Sequence, residues 1–264
     1  MDIDFHTHGK LAKYLAFSPD YTDWLFNEAI SAGLDALCLT EHFNTQGFHD
    51  VYADIARRFP RIGDAYDVNG LLVFPGMEID VAEGGHTLAL GPMEDVLDLN
   101  AWLEPHKARG HFLPFGELAH EMHRRGLRLG AGHPFRAPGH LPELPDEQLA
   151  EFDFIDLNGK DLARDRERSE RLTFALGERL GIPVVSGSDT HQAFQYGCVV
   201  TRVARRCTTF DDLFAQVEAG AYEIVLADDA AFRVKTAGYL KRALKEIDRL
   251  GGDYVATILA GQAL

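Results

Sequence analysis

Twelve histidines stand in a chain of 264 residues that carries 41 acidic side chains against 26 basic ones. Their placement, with certain carboxylates, suggests metal chemistry. His6 and His8 are separated by one residue, as are Asp189 and His191, while Glu41-His42, Glu78 and His133 fall between these pairs in sequence. Imidazoles and carboxylates without thiolates suit Zn, Mn or Fe. A purely structural zinc site uses four ligands, often cysteines. This set holds more ligands than one ion needs and no thiolate, which points to a catalytic, polynuclear centre. A lone histidine in a strand is ordinarily a hydrogen-bonded core residue. Only the recurrence at one kind of position argues otherwise.

That position is the end of a strand. Asp2 to Phe5 reads as a strand running into His6-Thr7-His8, and side chains two apart on a strand share a face. Ser18-Pro19-Asp20 caps a helix that Gly33 stops, and the apolar run Leu34 to Thr40 is a buried strand ending at Glu41-His42. A polar helix over roughly 47–59 follows, then strands from Leu71 to Phe74, ahead of Glu78, and from His86 to Leu90. A helix over 116–125 leads to Arg128 to Ala131, ahead of His133, and Phe154 to Leu157 is another strand. A helix over 164–180 precedes Pro183 to Ser186, ahead of Asp189. Val199 to Val203, a helix from Thr209 to Ala219, Glu223 to Leu226 and an amphipathic helix from about residue 235 complete the chain. Alternating strands and helices imply a parallel sheet with helical crossovers, and about 250 residues is the usual size of a closed β/α barrel. The fold class expected is α/β: a single-domain, distorted (β/α)7 TIM-like barrel over residues 1–264, with its motifs within 1–200. In such barrels the chemistry collects at the C-terminal strand ends. His86 begins its strand, so its position alone allows either an inward ligand or a turn residue.

Composition narrows the function classes. Apolar residues make up 46% and charged residues 25%, which fits a globular chain. A net charge of −15 with no basic block argues against a binder of long nucleic acid. No apolar run approaches the ~20 residues of a membrane span, and the N-terminus lacks signal-peptide features, so a cytoplasmic location is expected. Cys38, Cys198 and Cys207 form no C-x-x-C pair and read as small buried apolar residues. Glu117 and His120 have E-x-x-H spacing but lie, with His123, on one charged helix face that reads as solvated. His106 and His111 fall in the stretch 92–114, read as a lid, while His49 and His140 carry no pattern.

The segments D-F-H-T-H, T-E-H-F-N, G-M-E, G-H-P and S-D-T-H, in this order, resemble the motifs of the PHP (polymerase and histidinol phosphatase) family. The resemblance covers residues 1–200 well. It implies a distorted barrel that binds two or three divalent ions and hydrolyses phosphoesters. By the same resemblance, His6, His8, Glu78 and Asp189 hold one ion. Glu78 bridges to a second, held also by His86 and His133, and His42 and His191 serve a third. The family usually places an Asp or His five or six residues after His8, where this chain has Lys13 and Tyr14. A protonated lysine cannot coordinate, so the third site is expected to be weak or empty. Lys13 could instead contact a substrate phosphate or point to solvent.

The reaction implied is hydrolysis of a small phosphorylated metabolite through a metal-activated hydroxide, with Lys13 and Arg136 binding the phosphate. His191 or His42 would protonate the leaving group, and Asp189 would hold the centre. Two other readings stand beside it. An amidohydrolase-like barrel would act on amides or lactones, but no strand-end lysine precedes His133, and Lys160 comes late. A regulatory metal-binding barrel without turnover is the other. Pocket walls are expected from loops around 43–70, 92–114 and 135–146. Phe43, Phe112, Phe135 and Phe194 could line a wall or pack in the core.

Overall fold

The computed structural model describes residues 1–261. In chain order its elements are β1 (Asp2–Thr7), α1 (Pro19–Ser31), β2 (Ala36–Leu39), α2 (Phe48–Arg58), β3 (Arg61–Ile62), β4 (Ala65–Val68), β5 (Leu71–Asp80) and β6 (His86–Leu90). There follow α3 (Met93–Trp102), α4 (Phe115–Arg124), β7 (Arg128–Gly132), α5 (Asp146–Leu149), β8 (Phe154–Asn158), α6 (Gly159–Arg164) and α7 (Arg166–Leu180). The chain ends with β9 (Val184–Gly187), β10 (Val199–Val203), α8 (Phe210–Glu218), β11 (Tyr222–Leu226), α9 (Ala230–Arg249) and α10 (Tyr254–Ala260).

The strands form one eleven-stranded sheet in the order β11-β10-β1-β2-β5-β6-β7-β8-β9, with the β3–β4 hairpin paired to β5. The path β1-β2-β5-β6-β7-β8-β9 curls until its ends meet. The Asp189 N–H donates to the His6 carbonyl at 2.7 Å, and the His8 N–H to that of Thr190 at 3.0 Å. The seven strands of this path make a nearly closed barrel. The antiparallel pair β10–β11 branches from it at Asp2 and Ile3 of β1.

The sheet is mixed rather than all parallel. β6 runs antiparallel to both neighbours. Only residues 81–85 separate it from β5, and a parallel crossover needs a dozen or more. β5 is also longer than the strand expected from Leu71 to Phe74. It continues through Glu78 to Asp80, because this second half pairs with β6 instead of β2. The helix expected over 164–180 begins earlier and is broken at Asp165, whose side chain accepts from the Arg168 N–H and caps α7. The stretch 92–114 contains a helix. Residues Met93–Trp102 are helical, with Met93, Val96 and Leu99 buried.

Alternation along the strands divides the apolar core in two. Ile3, Phe5, Ala36, Cys38, Leu72, Phe74, Leu88, Leu90, Phe154 and Val185 fill the barrel interior, which Phe210, Leu213, Phe214 and Val217 of α8 close at its base. The alternate residues, among them Leu37, Leu39, Val73, Ala89, Leu129 and Ile155, join the larger core cluster with residues of the surrounding helices. One irregularity matters for the site. Asp4 pairs with Leu37 and Thr7 with Leu39, so β1 carries one extra residue. A bulge of this kind reverses which parity faces inward. Phe5 packs inside before it, and His6 and His8 reach the mouth after it. Gly187 of β9 is what lets β1 come this close, since a Cβ there would collide with the Cβ and backbone of His6.

Candidate metal centre

The C-terminal ends of β1, β2, β5, β7 and β9 deliver His6, His8, His42, Glu78, His133, Asp189 and His191 to one rim, and His86 joins them from the start of β6. Two of these residues are held in left-handed backbone, His133 at φ 33° and Asp189 at φ 55°. Such conformations cost of order 1–3 kcal/mol each and persist where surrounding structure imposes them. Asp189 is held by its N–H bond to the His6 carbonyl. His133 is held by a bond from its N–H to Asp156 at 3.3 Å.

Glu78, 1% exposed, is the hub. Its Oε1 lies 2.5 Å from His86 Nδ1, 3.0 Å from His133 Nε2 and 3.5 Å from His6 Nε2. Its Oε2 lies 2.7 Å from His42 Nδ1 and 3.4 Å from His8 Nε2. Asp189 Oδ1 is 3.3 Å from His8 Nε2 and 3.8 Å from His191 Nε2. Three groups have ligand atoms mutually within 4.8 Å: His6, His8 and Asp189; His6, Glu78 and His133; and His8, His42 and His191. His6 Nε2, both nitrogens of His8 and Glu78 Oε2 are buried with no well-directed hydrogen bond among the described residues. Buried polar atoms are ordinarily satisfied. Orphaned nitrogens and carboxylate oxygens that converge on common points fit divalent cations. All eight ligands expected from the sequence are therefore gathered at one place.

The charges are mutually adjusted. Burial opposes ionisation of Glu78, but His86, His42 and His6 hold its carboxyl well below the usual range. Asp189 is likewise opposed by burial and held well below that range by Lys160 and Arg136. Burial would lower His6, yet Glu78 and Asp156 raise it to about 10. His86, beside Glu78 and Asp80, is also raised to about 10 despite its burial. His42 is pressed down to about 4 by burial, despite Glu78, with Lys13 among the repelling charges. Burial, with His8 and Lys241 close by, puts His191 well below its ordinary value.

Around the ligands lies a shell that the sequence reading did not assign. Asp156 of β8, 1% exposed, accepts from His6 Nδ1 at 2.9 Å and from the Asn158 amide at 2.9 Å. The His6 Nδ1–H is thereby fixed and Nε2 is free to ligate, the usual carboxylate–histidine–metal relay. An acid within the apolar run Phe154 to Leu157 was the available signal. The His191 ring nitrogen Nδ1 donates to the Lys10 carbonyl at 2.9 Å, and Tyr21 donates to the His191 carbonyl at 2.8 Å. Glu41 accepts from the backbone N–H of Gly9 and of His42. Replacing Asp156 with Asn should weaken metal affinity by about 10–100-fold. Equilibrium dialysis against the ion measures this, and unchanged affinity would remove Asp156 from the site.

Neither cation expected to meet substrate is free. Lys13 Nζ pairs with Asp80 Oδ2 at 3.2 Å, and Asp80 Oδ1 holds His86 Nε2 at 2.9 Å. Arg136 donates to Asp189 at 2.6 Å, to Asn158 at 2.5 Å and to Asp161 at 3.1 Å. A cavity of about 390 Å³ opens at Asp80, lined by Gly84, Gly85, Arg109 and Phe112. The stretch 92–114 thus contributes to a wall at the rim. Phe43 is buried against Phe112, whereas Phe194 is 53% exposed. Glu117, His120 and His123 stay on the exposed face of α4, and His123 pairs with Glu151.

Comparisons with known proteins agree with this picture. A family profile described as PHP-associated matches residues 169–222, a segment that holds S-D-T-H, the last of the motifs that carry the resemblance. No curated protein matches the chain. Among solved structures, PsfC from Pseudomonas syringae aligns with a TM-score of 0.75 at 22% identity, covering 92% of this chain and 98% of that one. The lesion-specific endonuclease Q of Pyrococcus furiosus aligns with a TM-score of 0.60 at 17% identity, over 84% of this chain and 57% of that one. A protein from Bifidobacterium adolescentis, described as a proposed metal-dependent phosphoesterase, gives 0.51 at 17% identity, over 81% and 94%. At these identities the neighbours establish a shared fold.

Proposed function

We propose that this chain is a metal-dependent hydrolase of the PHP type, acting on a phosphate ester of a small metabolite. The observation that carries the reading is the convergence of seven imidazole and carboxylate side chains, several with orphaned buried atoms, at the C-terminal rim of a barrel, with His86 joined to them through Glu78. His6, His8, Glu78 and Asp189 are assigned to one ion, and Glu78, His86 and His133 to a second. A third set, His8, His42 and His191, stands beside Lys13, whose charge disfavours further cations there. When bound, divalent ions supply an acidified water and neutralise charge on the phosphoryl oxygens.

The protein's own residues prepare that chemistry. Asp156 orients His6, and the Lys10 carbonyl holds the His191 proton on Nδ1, so its Nε2 is in the form that ligates. That tautomer, and a pKa well below the ordinary value, leave His191 Nε2 unprotonated, which supports an acceptor or ligand role over the proton donor expected from sequence. His42, pressed down to about 4, has the same character. Arg136 braces Asp189 against Asp161 and Asn158 and so acts as a positioning residue.

One structural neighbour, endonuclease Q, has been solved with a DNA duplex. This chain's net charge of −15 is unfavourable for tracking a phosphate backbone, which favours the small substrate. The test is turnover of p-nitrophenyl phosphate and a panel of phosphorylated metabolites by protein loaded with Mn, Zn or Fe. Phosphate release from one or more of these is expected, with no cleavage of abasic duplex DNA. Turnover of amides or lactones alone would favour the amidohydrolase-like reading. Stoichiometric metal without any turnover would favour a regulatory barrel.

A further inference from the structure

The cations at the mouth are unequally committed. Arg136 spends its donors on Asp161, Asp189 and Asn158. Lys13 is paired with Asp80, and Lys10 donates to Thr45 and to the Gln46 carbonyl. Lys160 of α6 makes one ion pair among the described residues, to Asp189 Oδ2 at 2.9 Å. An ammonium has three donors, so two of its N–H groups remain. Lys241 of α9 has no hydrogen bond or ion pair among the described residues, although it is only partly exposed. Lys241 lies one turn before Lys245, whose ammonium stands 5.3 Å from the Tyr14 ring, so this face of α9 turns toward the loop after β1, while Lys160 stands at Asp189.

Two ammonium groups brought together, partly desolvated and short of acceptors, are an unfavourable arrangement by themselves. Burial, and after it the Lys160 charge, lowers the Lys241 amine to about 7. The nearby carboxylates, Asp189 and Glu41, are already engaged by Arg136, Lys160 and backbone N–H groups. An external anion is the missing partner. α9 packs against α6, which places the two lysines on adjoining elements.

We propose that Lys160 and Lys241 form an anion subsite beside the metal centre, and that the substrate carries a second anionic group besides its reacting phosphate. This assignment rests on the phosphoesterase reading above. It changes which residues recognise substrate, from Lys13 and Arg136 to a pair that only α6 and α9 bring together. The second group is an oxyanion, a carboxylate or a phosphate, held within a few bonds of the scissile ester.

Equilibrium binding of phosphonates, which are not hydrolysed, tests it on the metal-loaded protein. Propylphosphonate carries one anionic group, while 3-phosphonopropionate and propane-1,3-bisphosphonate carry two. The second group should tighten binding by about tenfold or more in the wild type. Lys241→Met should reduce that ratio to about twofold or less, and Lys241→Arg should restore it. Lys160→Met should act in the same direction, with metal content measured because Lys160 also contacts Asp189. The two dianionic probes show which oxyanion the pair prefers. A wild-type ratio near one, or a full ratio retained in Lys241→Met, would overturn the subsite. A normal ratio with no hydrolysis of any phosphate ester would instead overturn the phosphoesterase reading and leave the subsite standing.

Discussion

Replacing Glu78 with Gln should abolish hydrolysis of p-nitrophenyl phosphate, with a loss of at least about 10³-fold, and leave the purified protein with little bound metal. No other carboxylate at the rim faces so many imidazoles: His6, His8, His42, His86 and His133 all lie within 3.5 Å of its oxygens. A glutamine fills the same volume but presents no charge to the ions, and its amide N–H₂ would oppose imidazole N–H groups. The same substitution removes the anion that holds His6 and His86 in their charged state. Turnover within about tenfold of wild type, with metal retained, would show that Glu78 does not bridge the centre.

Metal affinity should rise steeply with pH between about 6 and 9. In the ion-free protein, burial alone would leave His6 and His86 neutral, but Glu78 with Asp156 or Asp80 raises both to about 10. An ion can take those nitrogens only after the protons leave. Two protons released per loaded centre correspond to about a hundredfold gain in apparent affinity per pH unit. His42, His133 and His191 are held below their ordinary values and release none. The stability of the ion-free form follows the opposite course. A folded pKa above the unfolded one adds stability that is complete below about 6.5 and is lost as pH rises through about 10. The Tm of stripped protein should therefore fall across that window while loaded protein holds its own. Calorimetric titration in buffers of different ionisation enthalpy counts the protons. Affinity flat with pH would contradict the assignment of His6 and His86 as charged, carboxylate-paired ligands awaiting an ion.

The residues gathered at the rim were legible because metal chemistry restricts residue type and barrels restrict position. His6, His8, Glu78, His133 and Asp189 each follow a recognisable strand, and their order carries the family resemblance. The number of barrel strands was legible for the same reason. What was not legible depends on pairing. The antiparallel turn at β6 follows from the five-residue spacing after Asp80, a spacing that strand patterning alone did not interpret. The bulge between Asp4 and Thr7 has no signature in D-I-D-F-H-T, yet it turns His6 and His8 inward. Asp156 was hidden by its neighbours: in an apolar strand it reads as an interruption until His6 is seen 2.9 Å away. Lys13 and Arg136 were noticed for their charge, but only tertiary structure shows that Asp80 and Asp161 already engage them. Lys241 lies on the last long helix, far from every motif, and no sequence pattern connects it to Lys160.

The most direct test of the metal centre is an anomalous-difference map from crystals of Mn-loaded protein, collected with the metal edge identified. Peaks are expected between His6, His8, Glu78 and Asp189, and between Glu78, His86 and His133, about 3.5–4 Å apart. A third peak, near His42 and His191, should be weak or absent beside Lys13. No anomalous density at the rim, with Glu78 still hydrogen-bonded to its ring of imidazoles, would contradict the existence of the centre.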